Sequence, residues 1–152
     1  MALNWCLDEP WINVGGPTIT TYPGTPKPAY YAVRDALRPV APSACIPKFR
    51  WYTAELFRAE LWLLNDSLEA VSDTVRVWVQ MGEEKRFVME WHTGEVAAQT
   101  NKRGHMIQFE LPETETQTEF TLILESAHGT SRYRLPLLPK KKLAYDPHAL
   151  NV

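Results

Sequence analysis

The sequence has few cysteines, little net charge and no long apolar run, and each shortage excludes a class of protein. Two cysteines, Cys6 and Cys45, in 152 residues are too few for a disulfide framework and match no metal-ligand spacing. We therefore interpret them as buried thiols rather than a bridge. A net charge of −2 gives no electrostatic reason to expect nucleic acid or an anionic membrane as a partner. No stretch of 18 apolar residues occurs, so no membrane-spanning helix is predicted.

Motifs for cofactors and common hydrolytic chemistry are also absent from the sequence. It contains no nucleotide-binding glycine motif, nucleophile elbow or zinc motif, and its four histidines show no metal-ligand spacing. We predict no cofactor and no metal. The first four residues lack the basic and apolar parts of a signal peptide, so no compartment is assigned. Asn65-Asp66-Ser67 matches the N-glycosylation pattern and equally suits a turn.

What the sequence does contain is proline, with twelve residues concentrated before position 48 and between Pro136 and Pro147. The first group predicts a helix from Pro26 to Arg38. Prolines in the first turn cost nothing there, Thr25 is the expected N-cap, and Pro39 forbids further helix. An apolar stripe follows the helix at three- and four-residue spacing: Ala29, Tyr30, Val33, Ala36 and Leu37. We expect this stripe either to fold over the rest of the chain or to pair with a second copy.

From Ser43 onward a two-residue alternation predicts short strands separated by turn formers. The first predicted strand, Cys45 to Trp51, contains Pro47 and is therefore expected at an edge. The later strands have these predicted inward sets: Phe57, Ala59, Leu61, Leu63; Val75, Val77, Val79, Met81; Phe87, Met89, Trp91; Ile107, Phe109, Leu111; Phe120, Leu122, Leu124; Tyr133, Leu135, Leu137. About seven strands in this pattern indicate a mainly β fold, an immunoglobulin-like antiparallel sandwich preceded by a strand–loop–helix segment.

The first 66 residues also resemble a known enzyme family. The matching stretches are Trp5-Cys6-Leu7-Asp8-Glu9-Pro10-Trp11, then Gly24-Thr25-Pro26-Lys27-Pro28-Ala29-Tyr30-Tyr31-Ala32-Val33, then Leu37-Arg38-Pro39-Val40, and finally Ala59-Glu60-Leu61-Trp62-Leu63-Leu64-Asn65-Asp66. They are similar to glycoside hydrolase family 2, in its β-mannosidase and β-galactosidase-like branches. The likeness is specific at Lys27–Tyr31 and Arg38–Val40 and architectural beyond Asp66.

The resemblance implies a division of the chain. Residues 1–42 would be the last strand and helix of a (β/α)8 barrel, residues 43–139 the immunoglobulin-like sandwich, and residues 140–152 a loosely held tail. The family's two catalytic glutamates would lie before Met1. We therefore expect a fragment of a retaining glycosidase that has no activity alone. Its expected partner is the catalytic barrel of the parent, through which it would meet carbohydrate. We also expect a homodimer formed through the helix.

The same resemblance suggests residues at the sugar pocket of the intact parent: Trp5, Asp8 and Trp11. Asp8 and Glu9 are adjacent, and neighbours on an extended chain point to opposite sides, so they are not expected to form a catalytic pair. No catalytic residue is assigned. In the alternative interpretation these residues have structural roles only: Trp5 packs in a core and Asp8 caps a turn. The family usually has Asn-Asp or Asn-Glu where this chain has Asp8-Glu9.

Six tryptophans permit a different function, an autonomous carbohydrate-binding sandwich. Trp62 and Trp78 both fall on the outward phase of their strands, where they could form one sugar platform. The competing interpretation is that both pack at a domain interface, against the helix or against the parent's barrel. A third hypothesis is a structural or adhesion-type sandwich without a ligand.

Overall fold

The computed structural model describes residues 6–12 and 16–140. Its elements in chain order are β1 (Thr20–Thr21), β2 (Thr25–Pro26), α1 (Pro28–Ala36), β3 (Val40–Cys45), β4 (Trp51–Tyr52), β5 (Leu56–Asn65), β6 (Val71–Met81), β7 (Glu84–Val96), β8 (Thr100–Glu110), β9 (Thr118–Ser126) and β10 (Gly129–Leu138). A strand followed by a loop is predicted over residues 3–11, and the described part of it, residues 6–11, forms neither strand nor helix. The predicted tail beyond Lys140 lies outside the described residues.

Two sheets form the body of the protein, which confirms the predicted mainly β sandwich. One sheet has five strands in the order β4-β10-β9-β6-β7, and the other has three in the order β3-β5-β8. The sandwich therefore has eight strands rather than seven. All its ladders are antiparallel except the short one between β4 and β10, which is parallel.

The start of the sandwich differs from the prediction. The strand expected from Cys45 to Trp51 is wrong: β3 ends at Cys45, and β4 begins at Trp51. β3 instead begins at Val40, between Pro39 and Pro42, and its first residues Val40 and Ala41 are buried. Pro42 is tolerated since β3 lies at the edge of its sheet, where only one side needs hydrogen bonds.

The core lies between the sheets and is built from the alternate residues that the pattern selected. Most of the predicted inward sets of β5, β6, β9 and β10 are fully buried, which confirms them. The buried members are Phe57, Ala59, Leu61, Leu63, Val75, Val77, Val79, Phe120, Leu122, Leu124, Leu135 and Leu137. Phe57 is at the centre of an aromatic group, with ring centroids 4.7 Å from Trp51, 4.8 Å from Phe109 and 5.4 Å from Phe120.

A β-bulge corrects the prediction for Phe87. The pairing of β6 with β7 shifts between Val77 and Trp78, so that Val77 faces Met89 while Trp78 faces Phe87. Because a one-residue shift moves a side chain to the opposite face, Phe87 lies on the outer face and is half exposed. Its ring contacts that of Trp78 edge-on, with centroids 5.1 Å apart.

The two sheets meet along β7 and β8, and a glycine closes that seam at one point. A Cβ atom on Gly104 would lie 2.7 Å from the indole ring of Trp91. Trp91 is buried and belongs to the core. The absence of a side chain at position 104 therefore lets the tryptophan fill the space between the sheets.

The helix is shorter than predicted and starts differently. α1 runs from Pro28 to Ala36, its N-cap is Lys27 without a side-chain capping bond, and Thr25 instead pairs with Thr21 in the β1–β2 ladder. No residue of α1 is buried, although Tyr30 and Val33 are half buried. The sandwich of this chain therefore does not cover the apolar stripe of the helix.

Candidate interaction surface of the N-terminal segment

A buried ion pair holds the segment before the helix in a defined shape. The side chain of Glu9 is 2% exposed, and the ammonium of Lys27 lies 2.7 Å from its Oε1. The hydroxyl of Thr18 donates to the same oxygen at 3.0 Å, and Lys27 also donates to Thr18 Oγ1 and to the carbonyl of Gly16. The hydrogen bond from Lys27 lowers the pKa of Glu9, outweighing the opposite effect of burial. We call this group the Glu9–Lys27 clasp.

Asp8 organises the next layer of the same loop. Its Oδ1 accepts from the backbone N–H of Glu9 at 2.8 Å and from the hydroxyl of Thr20 at 2.9 Å. The backbone N–H of Thr20 donates in turn to the carbonyl of Leu7 at 3.1 Å. Asp8 thus binds the turn while Glu9 binds Lys27. The two carboxylates have different partners.

Large apolar side chains are exposed around this clasp. We call the described residues before β3 the N-terminal segment. Of the twelve large apolar residues exposed in the described part of the chain, six belong to this segment: Leu7, Trp11, Ile12, Tyr22, Tyr31 and Leu37. Trp11 is 67% exposed, Ile12 83% and Leu37 76%. We call these six residues the N-terminal apolar set. A concentration of exposed apolar side chains on one segment is typical of a surface that binds another protein surface.

Arg38 joins this segment to the sandwich. Its guanidinium donates to the carbonyl of Thr130 at 3.1 Å and to the hydroxyl of Ser131 at 2.8 Å, and Ser131 donates to the carbonyl of Pro42 at 2.6 Å. Gly129 at the β9–β10 turn has φ +121°, and a Cβ there would collide with the guanidinium. The family likeness includes Arg38, but its contact with a residue 92 positions away has no local signal in the sequence.

The structure separates the predicted sugar-binding residues. Trp5 lies outside the described residues. Asp8 and Trp11 lie in the N-terminal segment, where both are exposed. Trp62 is on β5 and Trp78 on β6, which belong to different sheets, and each is on the outer face of its own sheet. The two tryptophans therefore cannot form one platform.

Both outer-face tryptophans already have close neighbours. The indole Nε1 of Trp62 donates to Glu60 at 2.9 Å, and Glu60 also accepts from Arg103 at 2.6 Å. The ammonium of Lys85 lies 4.4 Å from the ring centroid of Trp78. A sugar stacking on Trp78 from that side would have to displace Lys85.

The structure also tests the interpretations of the two cysteines and of the glycosylation pattern at Asn65. Cys45 is exposed rather than buried, and no disulfide joins it to Cys6, which is half buried. Asn65 is fully buried, and its amide donates to the carbonyls of Glu69, Val96 and Ala97, so it serves the turn and is not accessible for glycosylation.

Within residues 6–12 and 16–140, no group of three or more metal-binding side chains comes together. The one described helix, α1, is too short to cross a bilayer.

Comparison with known proteins gives likenesses in structure only. No family model matches the chain, and no curated protein matches it by sequence. Among solved structures, a β-glucosidase involved in saponin metabolism from intestinal bacteria aligns with 66% of this chain at 12% identity and a TM-score of 0.44. The chain spans 16% of that protein's length.

Two other similar structures are covered by this chain over most of their own length. The CARDB domain of a Pyrococcus furiosus protein aligns with 68% of this chain and 98% of its own, at 13% identity and a TM-score of 0.47. The superoxide reductase (neelaredoxin) from Ignicoccus hospitalis aligns with 66% of this chain and 82% of its own, at 9% identity and a TM-score of 0.44. At these identities and TM-scores the likenesses do not assign a function.

Proposed function

We propose that this chain is a non-catalytic C-terminal region of a family 2 glycoside hydrolase, and that its N-terminal segment packs against the catalytic barrel of the parent. The observation that carries the proposal is the N-terminal apolar set. Six large apolar side chains are exposed on a segment that is nevertheless ordered by a buried ion pair. A segment built to stay in one conformation with its apolar side chains outside is suited to binding a fixed surface.

The residues that carry the family resemblance also have structural roles that suit this function. Lys27 makes the clasp, and Arg38 anchors the segment to the β9–β10 turn. Lys27 holds the start of helix α1 against the preceding loop, and Arg38 ties the residue after the helix to the sandwich. A domain that buttresses a barrel needs this fixed geometry, because the apolar side chains of the segment must meet their partner surface in register.

In this proposal the chain alone does not hydrolyse glycosides. Trp11 and Asp8 lie at the exposed side of the segment, where they would reach the rim of the parent's sugar pocket. The sandwich acts as a support. Without the barrel, a second copy of the chain is the available partner for the N-terminal apolar set, which gives a homodimer.

The experiment that tests the proposal is the size of the native polypeptide. An antibody raised against residues 40–140 should detect, in the source cells, a band several times larger than 17.4 kDa. Immunoprecipitated material should hydrolyse aryl β-glycosides, while the 152-residue chain should not. A native band at 17.4 kDa would overturn the proposal, because no catalytic barrel would then accompany the sandwich.

A further inference from the structure

A cavity of about 740 Å³ lies between the β6–β7 hairpin, the end of β8 and the loop that follows β8. Elsewhere along the same two strands, Trp91 of β7 packs closely against Gly104 of β8. Glu84 and Leu111, which line the cavity, lie at the other ends of these strands. This cavity belongs to the sandwich, and its lining contains no residue of the N-terminal segment.

The inner part of the cavity is apolar. It is lined by Val79 and Met81 of β6, by Phe109 of β8 and by Leu111. The ring of Phe109 is not free for stacking, because Phe57 lies 4.8 Å from it and the guanidinium of Arg86 lies 5.5 Å from its centroid. A sugar ring would find no open aromatic face here, whereas an aliphatic chain would find an apolar wall.

The mouth of the cavity is acidic. Glu84, Glu110 and Glu113 line it together with one cation, Arg86. Within residues 6–12 and 16–140, none of these four side chains forms an ion pair. Glu84 and Arg86 pair directly with Met81 and Val79 across the ladder, so they lie on the inner face of β7, where a closed sandwich would have apolar residues.

Two unpaired strand edges border the same cavity. β7 is the last strand of the five-stranded sheet and β8 the last of the three-stranded sheet, so each has one side without a ladder partner among residues 6–12 and 16–140. The backbone groups on that side are free to pair with an added strand, as in the recognition of extended peptides by sheet edges.

We propose that this cavity binds a basic, extended segment of another polypeptide. Its backbone would pair with an edge of the seam, and a lysine or arginine side chain would lay its aliphatic stem on Met81 and Pro112, which line the cavity and reach its surface. The positive charge would end among Glu84, Glu110 and Glu113, where the excess of two carboxylates over Arg86 supplies the charge complementarity. This inference does not depend on the proposed function, because it uses no residue of the N-terminal segment.

The test is a fluorescence anisotropy titration of the whole chain with a labelled seven-residue peptide of alternating valine and lysine. The double variant Glu84→Gln, Glu113→Gln should bind about five- to tenfold more weakly, because two charge pairs at a partly exposed site are lost. The matched control is Glu83→Gln, Glu95→Gln, which removes the same charge from exposed positions outside the cavity. It should bind as wild type. Thermal unfolding should show that both double variants are folded.

Four results of titrations with the whole chain would overturn the proposal. They are no saturable binding at millimolar protein, equal weakening in both double variants, equal binding of a peptide with glutamate in place of lysine, and binding of oligosaccharides but not of the basic peptide. Removing residues 141–152 should leave the titration unchanged. Tighter peptide binding after that removal would mean that the chain's own lysines compete for the cavity, which would overturn the assignment of a separate partner. A shift of the Met81 methyl resonance on adding the peptide would support the location.

Discussion

The ammonium of Lys27 lies 2.7 Å from the carboxylate of Glu9, eighteen residues earlier in the chain, and the carboxylate is almost completely buried. This contact closes a loop that has little apolar core of its own, since Ile19 is its only large apolar residue buried in the described part. Removing one partner of such an ion pair strongly destabilises the fold, because the buried charge that remains has no partner.

The clasp should make the order of the N-terminal segment depend on pH. The hydrogen bond from Lys27 lowers the pKa of Glu9 from 4.5, so the stabilisation is complete above about pH 4.5 and is lost as the pH falls through the lowered value. Hydrogen exchange of the Thr20 and Lys27 amides, corrected for intrinsic rates, should accelerate on acidification. In Glu9→Gln these amides should be weakly protected already at pH 7, with little further change in acid. Unchanged protection in Glu9→Gln would contradict the clasp.

The exposed pair Arg34–Asp35 is the control for that experiment. Both of its side chains are more than half exposed, and solvent screening leaves such an ion pair with little effect on stability. Asp35→Asn should therefore leave the exchange of the same two amides unchanged.

Replacing Gly104 by alanine should destabilise the sandwich. The new Cβ would lie 2.7 Å from the Trp91 ring, so the indole must move and the seam must open. Overpacking of this kind costs about 1–3 kcal/mol, measurable as a lower denaturant midpoint. In a Trp91→Leu background the same substitution should cost less, because the ring that it collides with is gone. Equal costs in both backgrounds would show that the close approach is unimportant.

Arg38→Lys should weaken the junction between segment and sandwich although it keeps the charge. A lysine cannot donate in a planar fork to both Thr130 and Ser131. We expect a loss of about 1 kcal/mol in the free energy of unfolding. Arg134→Lys, at an exposed position on the same hairpin, should cost almost nothing. If the two variants are equally stable, Arg38 is not the anchor.

The N-terminal apolar set should make the isolated chain self-associate and bind a hydrophobic dye. The double variant Trp11→Ser, Leu37→Ser should reduce both the dye fluorescence and the weight-average mass in sedimentation equilibrium. Leu68→Ser removes an 84% exposed leucine outside the segment and is the matched control. A wild-type chain that is strictly monomeric and does not bind the dye would contradict a docking role for these residues.

Titration with glycans tests whether Trp62 and Trp78 bind sugar or only pack at an interface. Because Trp62 and Trp78 lie on different sheets and Lys85 covers Trp78, we expect no change in intrinsic fluorescence on adding mannan or galactan oligosaccharides. A saturable change that disappears in Trp62→Ala would restore the carbohydrate-binding alternative for that residue alone.

Local patterns in the sequence were sufficient to predict the sandwich and most of its core. Alternation selected Leu61, Val77 and Leu122 as buried because a strand in a two-layer fold has one face toward the core, and that rule acts within a few residues. In the same way, Pro26, Pro28 and Pro39 indicated where the helix begins and ends. The predicted N-cap was wrong because it depended on a neighbouring element. Thr25 pairs with Thr21 in the β1–β2 ladder and does not cap the helix.

The sequence by itself determined the secondary structure class, the alternating core and the proline-bounded segment, since these depend on contacts between residues close in the chain. Only the tertiary structure decided that Phe87 faces outward, that Trp62 and Trp78 lie on different sheets, and that Glu9 meets Lys27. Strand register, sheet membership and buried ion pairs arise from contacts between residues far apart in the chain. Their free energy depends on the partner each residue finds, and that choice leaves no periodic signal around the residue itself.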